Sequence, residues 1–90
     1  PELDRLRRSE LFDREWYLST YPDVALSQMD PVEHYLQHGA MEGRNPGPRF
    51  NTGFYLATYP DVKAASINPL LHYIEYGARE GRRCLPDKTA

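Results

Sequence analysis

One segment of this sequence occurs twice, first as YLSTYPDV at residues 17–24 and again as YLATYPDV at residues 55–62. The two segments lie 38 positions apart. Aligning residues 12–49 with residues 50–87 needs no gap, and 17 of the 38 pairs are identical. A repeat of this period indicates a supersecondary unit that the chain uses more than once.

Length and composition exclude several classes of protein. A chain of 90 residues forms at most one domain, and it buries only about 60–65% of its unfolded surface, which leaves little room for an enclosed catalytic cleft. Its 11 basic and 13 acidic residues give a net charge of -2, so no basic surface indicates a nucleic-acid partner. No apolar run reaches the roughly 20 residues of a membrane span. The single cysteine, Cys84, excludes an internal disulfide and fits a reducing compartment.

Residues 1–11 precede the first repeat. Leu3, Leu6 and Leu11 are spaced among charged residues, which predicts a short amphipathic helix. We expect this helix to lie across the first repeat as a cap. The absence of an initiator methionine at position 1 leads us to expect a fragment of a longer protein.

Each repeat opens with the same helix signals. Asp13 and Asn51 are favourable N-cap residues, and Phe12 and Tyr17 have the spacing of a hydrophobic staple. We predict a first helix over about 14–20. Pro22 interrupts it and starts a second short helix, because proline lacks an N–H and suits the first helical position.

A third helix follows in each repeat. Asp30-Pro31 and Asn68-Pro69 combine an N-cap with a first-turn proline. Gly39 and Gly77 are predicted to end this helix in the left-handed conformation. Each is followed by a tight turn whose second glycine, Gly43 in the first copy, suits a positive φ.

These signals predict an all-α fold of two tandem 38-residue helix–turn–helix repeats, with short helices broken at Tyr-Pro and an N-terminal capping helix. No segment alternates with the period of two that a half-buried strand shows. The predicted organisation is an N-terminal helix at 1–11, repeat 1 at 12–49, repeat 2 at 50–84 and a flexible tail at 85–90. Because repeat units bury their faces on neighbours, we expect further repeats or a partner surface to complete the core.

Histidines occupy equivalent positions in the two repeats, at His34 and His72. His38 lies one turn after His34, and such a pair on a helix can contribute to a zinc site. Two ligands are too few, and the second copy has Tyr76 in place of His38. We therefore predict no metal and no cofactor, and we expect each repeated histidine to bond a helix end or loop carbonyl and to join one unit to the next. A small histidine-dependent enzyme is the remote alternative.

Repeated carboxylates offer a second possible chemistry. Asp23 and Glu42, with their counterparts Asp61 and Glu80, resemble the acid–base pairs of glycoside hydrolases. Each recurs in step with the fold, however, and an active site seldom comes in two equal copies. We interpret the aspartates as first-turn helix charges and the glutamates as partners of Arg44 or Arg82. No catalytic residue is predicted.

Aromatic residues are abundant, with seven Tyr, three Phe and one Trp. They either fill the seams between short helices or stack on sugar rings, and Trp16 lies off the main apolar face. The candidate binding residues are Trp16, Tyr17, Tyr21, His34, Arg44, Tyr55, Tyr59, His72 and Arg82.

The pattern WYLxxYPDV at residues 16–24, followed by DPxxHYLxHGxxEGR at residues 30–44, resembles a bacterial tandem repeat module. Similar modules accompany catalytic domains of surface-polysaccharide enzymes, including rhamnan synthesis protein F-like glycosyltransferases and some sulfotransferase-like and methyltransferase-like proteins. The resemblance covers about residues 9–83. The second copy departs from the pattern at Gly53, Phe54, Asn68, Leu71, Tyr76 and Cys84.

The resemblance implies a non-catalytic accessory domain of a larger polysaccharide-assembly enzyme. Such a domain would mediate protein interaction, oligomerisation or acceptor positioning, with adjacent domains or a second copy as partner. The alternative is a direct carbohydrate-binding module that uses exposed aromatic residues, with polysaccharide as the partner. The expected location is the cytoplasm, or the inner face of the cell envelope.

Overall fold

The computed structural model describes residues 2–86, and helices account for its regular structure. Within this range no strand forms, and one isolated bridge pairs Gly47 with Phe50. The all-α prediction is therefore confirmed. The helices are α1 (Glu2–Arg8), α2 (Arg14–Thr20), α3 (Pro22–Ser27), α4 (Pro31–His34), α5 (Thr52–Thr58), α6 (Pro60–Ala64) and α7 (Pro69–His72). Most of the predicted flexible tail, residues 87–90, lies outside the described residues.

The two repeats share one backbone. Helices α2, α3 and α4 recur as α5, α6 and α7 at the 38-residue offset. The N-cap torsion angles agree closely, with φ -109° and ψ 100° at Asp13 against φ -107° and ψ 106° at Asn51. Equivalent sequence signals thus produce equivalent local structure.

The first helix of each repeat is capped as predicted. A side-chain oxygen of Asp13 accepts the amide N–H of Trp16 at 3.0 Å, and Asn51 does the same for Phe54 at 2.9 Å. Such a bond satisfies one of the donors that a helix N-terminus leaves unpaired. The staple also forms in repeat 1, where the rings of Phe12 and Tyr17 lie 5.5 Å apart.

The Tyr-Pro break lies where the sequence predicts it. Helix α2 ends at Thr20 and α3 begins at Pro22, with Tyr21 between them at φ -122° and ψ 78°. Proline disfavours the α conformation of the residue before it, so the chain turns at this tyrosine. The break occurs again at Tyr59.

The third helix of each repeat widens into a π-helical turn, at Tyr35–Gly39 and Tyr73–Gly77. The amide N–H of Ala40 accordingly bonds the carbonyl of Tyr35, five residues back, at 3.0 Å. The predicted left-handed role of Gly39 is wrong, because the glycines with positive φ are Gly43 and Gly81, at 79° and 74°. Gly39 is instead required by packing, since a Cβ there would collide with the hydroxyl of Tyr17.

Helix α1 packs on the first repeat, as expected, and it also packs on the second repeat, which was not predicted. It packs against α4 and α7, with Leu6 fully buried. Arg5 forms an ion pair with Glu75 of repeat 2 at 2.7 Å, and Arg7 forms one with Asp30 of repeat 1 at 3.3 Å. Its apolar stripe therefore lies over the seam between the repeats.

The repeats are joined at the start of α5. The hydroxyls of Tyr35 and Thr52 lie 2.8 Å apart in a buried contact, and the side-chain oxygen of Asn45 accepts the amide N–H of Thr52 at 2.8 Å. Both side chains of the hydroxyl pair are fully buried. The core around this link consists of Leu6, Phe12, Tyr17, Val24, Val32, Tyr35, Ala40, Phe50, Tyr55, Val62, Leu70 and Leu71.

Candidate functional site

A buried tyrosine–histidine pair stands at the centre of each repeat. The hydroxyl of Tyr17 lies 2.9 Å from Nδ1 of His34, and that of Tyr55 lies 2.8 Å from Nδ1 of His72. The predicted role of these histidines is therefore wrong, because each bonds a tyrosine of its own repeat rather than a carbonyl of the next unit. Contact between the repeats is made instead by the hydroxyl pair at Thr52.

The electrostatics of this pair suit packing rather than proton transfer. Burial raises the pKa of Tyr17 far above its ordinary value, which keeps the hydroxyl protonated. Burial, with the charge of Arg44, lowers the pKa of His34, so its imidazole is held neutral. A nucleophile would need the opposite change in the tyrosine pKa, and Tyr17 has no exposed surface.

A second cluster, which we term the arginine clasp, consists of Tyr21, Asp23, Glu42 and Arg44 in repeat 1. Two guanidinium nitrogens of Arg44 bond the two carboxylate oxygens of Asp23 at 2.9 and 2.8 Å. Its Nε lies 2.9 Å from Glu42. The guanidinium also lies over the ring of Tyr21, 4.8 Å from the centroid, a cation–π contact.

Repeat 2 contains the same clasp, made by Tyr59, Asp61, Glu80 and Arg82. Arg82 bonds Asp61 at 3.2 and 3.1 Å and lies 4.7 Å above the ring of Tyr59. Its bond to Glu80 is 2.7 Å. In both repeats the two carboxylates thus bind one arginine, which confirms the interpretation of the glutamates as arginine partners.

The tyrosine of each clasp also holds the backbone. The hydroxyl of Tyr21 accepts the amide N–H of Asn45 at 2.8 Å, and the hydroxyl of Tyr59 accepts that of Arg83 at 2.8 Å. The clasp thereby ties the start of the second helix to the turn after the π-helical segment. The arginine hydrogen bond holds the pKa of the Asp23 carboxyl below its usual value, and it does so at Asp61 as well.

Eight of the nine candidate binding residues are thus divided between equivalent internal clusters, and Trp16 is the ninth. The rings of Tyr17 and Tyr55 are fully buried. Trp16 is half-buried, and its ring meets Tyr21 edge-on with centroids 6.1 Å apart. Its counterpart Phe54 lies below the guanidinium of Arg83 at 5.7 Å. Stacking on a sugar would need free ring faces, which the buried tyrosines do not offer.

The histidine rings of His34 and His38 lie 5.6 Å apart, and Tyr76 takes the place of the second ring beside His72 at 5.5 Å. Among residues 2–86, no group of three or more histidine, cysteine or acidic residues is arranged to hold a metal ion. In the same range no helix combines the length and the apolar character that crossing a membrane requires.

A groove between the two repeats, with a volume of about 810 Å³, was not predicted from the sequence. Its exposed side chains include Met41, which is 85% accessible, and Ile67, which is 41% accessible. The sequence carries no signal that separates them from Leu26, which is as exposed as Met41 but does not line the groove. The lining is Glu2, Leu36, Ala40, Met41, Gly43, Gly53, Leu56, Ala57, Lys63, Ser66, Ile67, Asn68 and Pro69.

Asn68 is the unusual polar member of this lining. Its Oδ1 accepts the amide N–H groups of Leu70 and Leu71 at 3.0 and 3.1 Å. Its Nδ2 is buried and has no hydrogen-bond partner in the described part of the chain. An unpaired buried donor is unfavourable, so this amide lowers the stability of the second repeat.

Comparison of the chain with protein-family models, curated proteins and solved structures found no match. The geometry of residues 2–86 therefore carries the assignment. It separates two kinds of feature, namely internal clusters whose polar groups bind one another, and a groove with exposed apolar side chains.

Proposed function

We propose that this chain is a non-catalytic helical repeat module that binds a protein segment, within a larger bacterial enzyme of polysaccharide assembly. The observation that carries the proposal is that both repeats use the same reactive residue types in internal bonds. Tyr17 is bonded to His34, and Arg44 is bonded to Asp23, while the second repeat contains the same bonds. The enzyme context comes from the resemblance of the repeat pattern alone.

The groove between the repeats is the surface that we assign to the partner. Met41 and Ile67 offer apolar area to solvent, and burying such area favours association. These side chains favour a peptide segment of an adjacent domain that offers apolar side chains of its own.

Hydrogen exchange tests this assignment by comparing the 90-residue module with the parent chain that contains it. We expect slower exchange in α5 and α6 of the parent chain, because its own segment occupies the groove. Met41→Glu should abolish the difference, since it places a charge in the contact. Leu26→Glu is the matched control, because Leu26 is equally exposed at 85% but does not line the groove. Equal exchange in module and parent chain would contradict the proposal.

The carbohydrate-binding alternative receives less support, because Tyr17 and Tyr55 have no exposed surface. Titration of the module with bacterial surface polysaccharide provides its test. Shifts in the NMR signals of Trp16 would favour that alternative, whereas unchanged signals would support a protein partner.

A further inference from the structure

Repeat 2 covers one face of repeat 1, which we term the trailing face. In repeat 1 this face includes Tyr35, Ala40 and Asn45, which contact α5 or line the groove beside it. The surface of repeat 2 that meets it, the leading face, begins at Thr52. Tyr35 is 0% exposed and Ala40 is 6% exposed, so the contact is well packed.

Repeat 2 has a trailing face of its own, formed by the counterparts Tyr73, Ala78 and Arg83. Tyr73 keeps the ring contacts that its counterpart makes within a repeat, with centroids 5.7 Å from Phe50 and 5.8 Å from Tyr55. It is nevertheless half-buried, and Ala78 is exposed. Because the contacts inside the repeat are kept, the greater exposure of this face arises from the lack of a covering repeat among residues 2–86.

Position 84 and its counterpart in repeat 1, position 46, also differ in burial. Pro46 in repeat 1 is fully buried, whereas its counterpart Cys84 is only partly buried. Burial raises the pKa of Tyr73, and the nearby Cys84 thiol adds to this effect, so the thiol lies close to the ring; its Sγ donates to the carbonyl of Arg49 at 3.4 Å. A repeat seated here would bury Cys84 as Pro46 is buried.

We propose that the trailing face of repeat 2 is a docking surface for a further helical repeat of the repeat 2 type. Its first helix would begin with threonine, so that the hydroxyl meets Tyr73 as that of Thr52 meets Tyr35. The occupant is thus a protein unit with a small hydroxyl residue and apolar neighbours on its leading face. The surface is separate from the groove, and the inference therefore does not depend on the proposed function.

A second copy of this chain does not fit this surface. Its remaining leading face belongs to repeat 1, where Arg14 replaces Thr52; this side chain is 61% exposed and lies 3.9 Å from the carboxylate of Asp30. On the opposing face Arg83 replaces Asn45. Head-to-tail contact would bring two arginines together at the position of the Asn45–Thr52 bond, and like charges oppose such a pairing. The arginines thereby prevent the open-ended growth that a head-to-tail contact otherwise allows.

The first test adds a third repeat by duplicating residues 50–87 in register after residue 87. Serine replaces cysteine in the added copy, so Cys84 remains the only thiol. We expect its alkylation by iodoacetamide to slow about tenfold relative to the original chain, because thiol reactivity requires exposure. The matched control carries arginine at the position of the added copy that corresponds to Thr52, and its alkylation rate should return to that of the original chain.

Two results would overturn the proposal. One is an added repeat that folds, by its helical circular dichroism, while Cys84 reacts at the original rate. The other is an added repeat that gains no helical signal, because the trailing face then fails to hold the unit that it is proposed to accept.

A second test uses the original chain without any extension. Sedimentation should show a monomer, whereas the double variant Arg14→Thr/Arg83→Asn should associate head-to-tail as its concentration rises. A double variant that stays monomeric would contradict the assignment of Thr52 and Asn45 as the residues that specify the contact. Association of the unaltered chain with protection of Cys84 would contradict the role of the arginines.

Discussion

At the residue scale, Gly39 shows how a buried side chain determines which residue a neighbouring position can hold. The hydroxyl of Tyr17 occupies the space that a Cβ at Gly39 would need, and Gly77 stands in the same relation to Tyr55. The glycine lets the π-helical turn approach the tyrosine closely enough for its bond to His34. The periodicity of the sequence could not show this, because it marks where a helix ends and does not reveal which ring lies against it.

We expect Gly39→Ala to lower the free energy of unfolding by about 1–3 kcal/mol, since overpacking displaces a buried ring. Gly53→Ala provides the control. A Cβ at Gly53 meets only Asn51 Oδ1, at 3.6 Å, and alanine favours a helix by about 0.5–1 kcal/mol. Urea denaturation of both variants measures the difference. Equal effects of the two substitutions would contradict the packing role of Gly39.

The buried imidazole of His34 makes stability depend on pH. Burial lowers its pKa below the ordinary 6.5, so the unfolded chain binds a proton at a higher pH than the folded chain does. Stability is therefore fully present above pH 6.5 and is lost as the pH falls through the folded pKa. Denaturation at about pH 7.5 and about pH 5.5 should show this loss. His34→Gln, which keeps an acceptor for Tyr17 but does not titrate, should reduce the loss, and an unaltered pH profile would contradict this origin.

At the element scale, the short helices depend on their caps and breaks. Helix α2 has only seven residues, and isolated helices shorter than about 12–15 residues are marginal in water. The cap at Asp13 and the break at Pro22 were predictable, because each rests on a local rule of backbone chemistry. The π-helical turns were not predictable, because the spacing of the apolar residues Val32, Tyr35 and Leu36 fits an α-helix as well.

Removal of the cap provides a test at this scale. Asp13→Ala should cost about 1 kcal/mol, the usual effect of losing an N-cap side chain. Asp13→Asn should change stability by less than about 0.5 kcal/mol, because Asn51 makes the same bond in repeat 2. Thermal unfolding followed by circular dichroism distinguishes the two variants. An equal loss in both would show that the charge of Asp13, rather than the cap bond, supports α2.

The arginine clasp joins elements that are distant in the chain. Asp23 and Arg44 stand 21 residues apart, yet their bond fixes where the turn after the π-helical segment meets the start of α3. Glu42 and Arg44 recur as Glu80 and Arg82 at the same spacing, and this made each arginine a predictable partner of the glutamate. The stacking on Tyr21 and the bond to the Asn45 backbone emerged only from the folded geometry.

At the scale of the whole molecule, α1 lies where the two repeats meet. The sequence predicted its helical character and its position on the first repeat but not its contact with the second, because nothing in its leucine spacing distinguishes one neighbour from two. The groove was missed for a related reason. Its lining comes from both repeats, and the pattern within a single repeat does not show which residues of different units face each other.

We expect Leu6→Ala to destabilise the molecule by about 2–5 kcal/mol, the usual cost of truncating a buried leucine. Leu26→Ala should have an effect within about 0.5 kcal/mol, because Leu26 is 85% exposed. If α1 couples the repeats, Leu6→Ala should also broaden the urea transition and lower its slope. Native-state hydrogen exchange would then show the two repeats opening at different free energies. A large loss of stability with an unchanged slope would show that the repeats remain one cooperative unit.

The position of α1 also has a mechanical consequence. Its buried Leu6 packs where the repeats meet, and its ion pairs reach Asp30 on one side and Glu75 on the other, so a bend between the repeats would expose the leucine side chain. The module would then behave as a stiff spacer that holds whatever is attached to each end at a fixed angle. In a larger protein, such a spacer would fix the relative orientation of the attached domains rather than the distance that they can span.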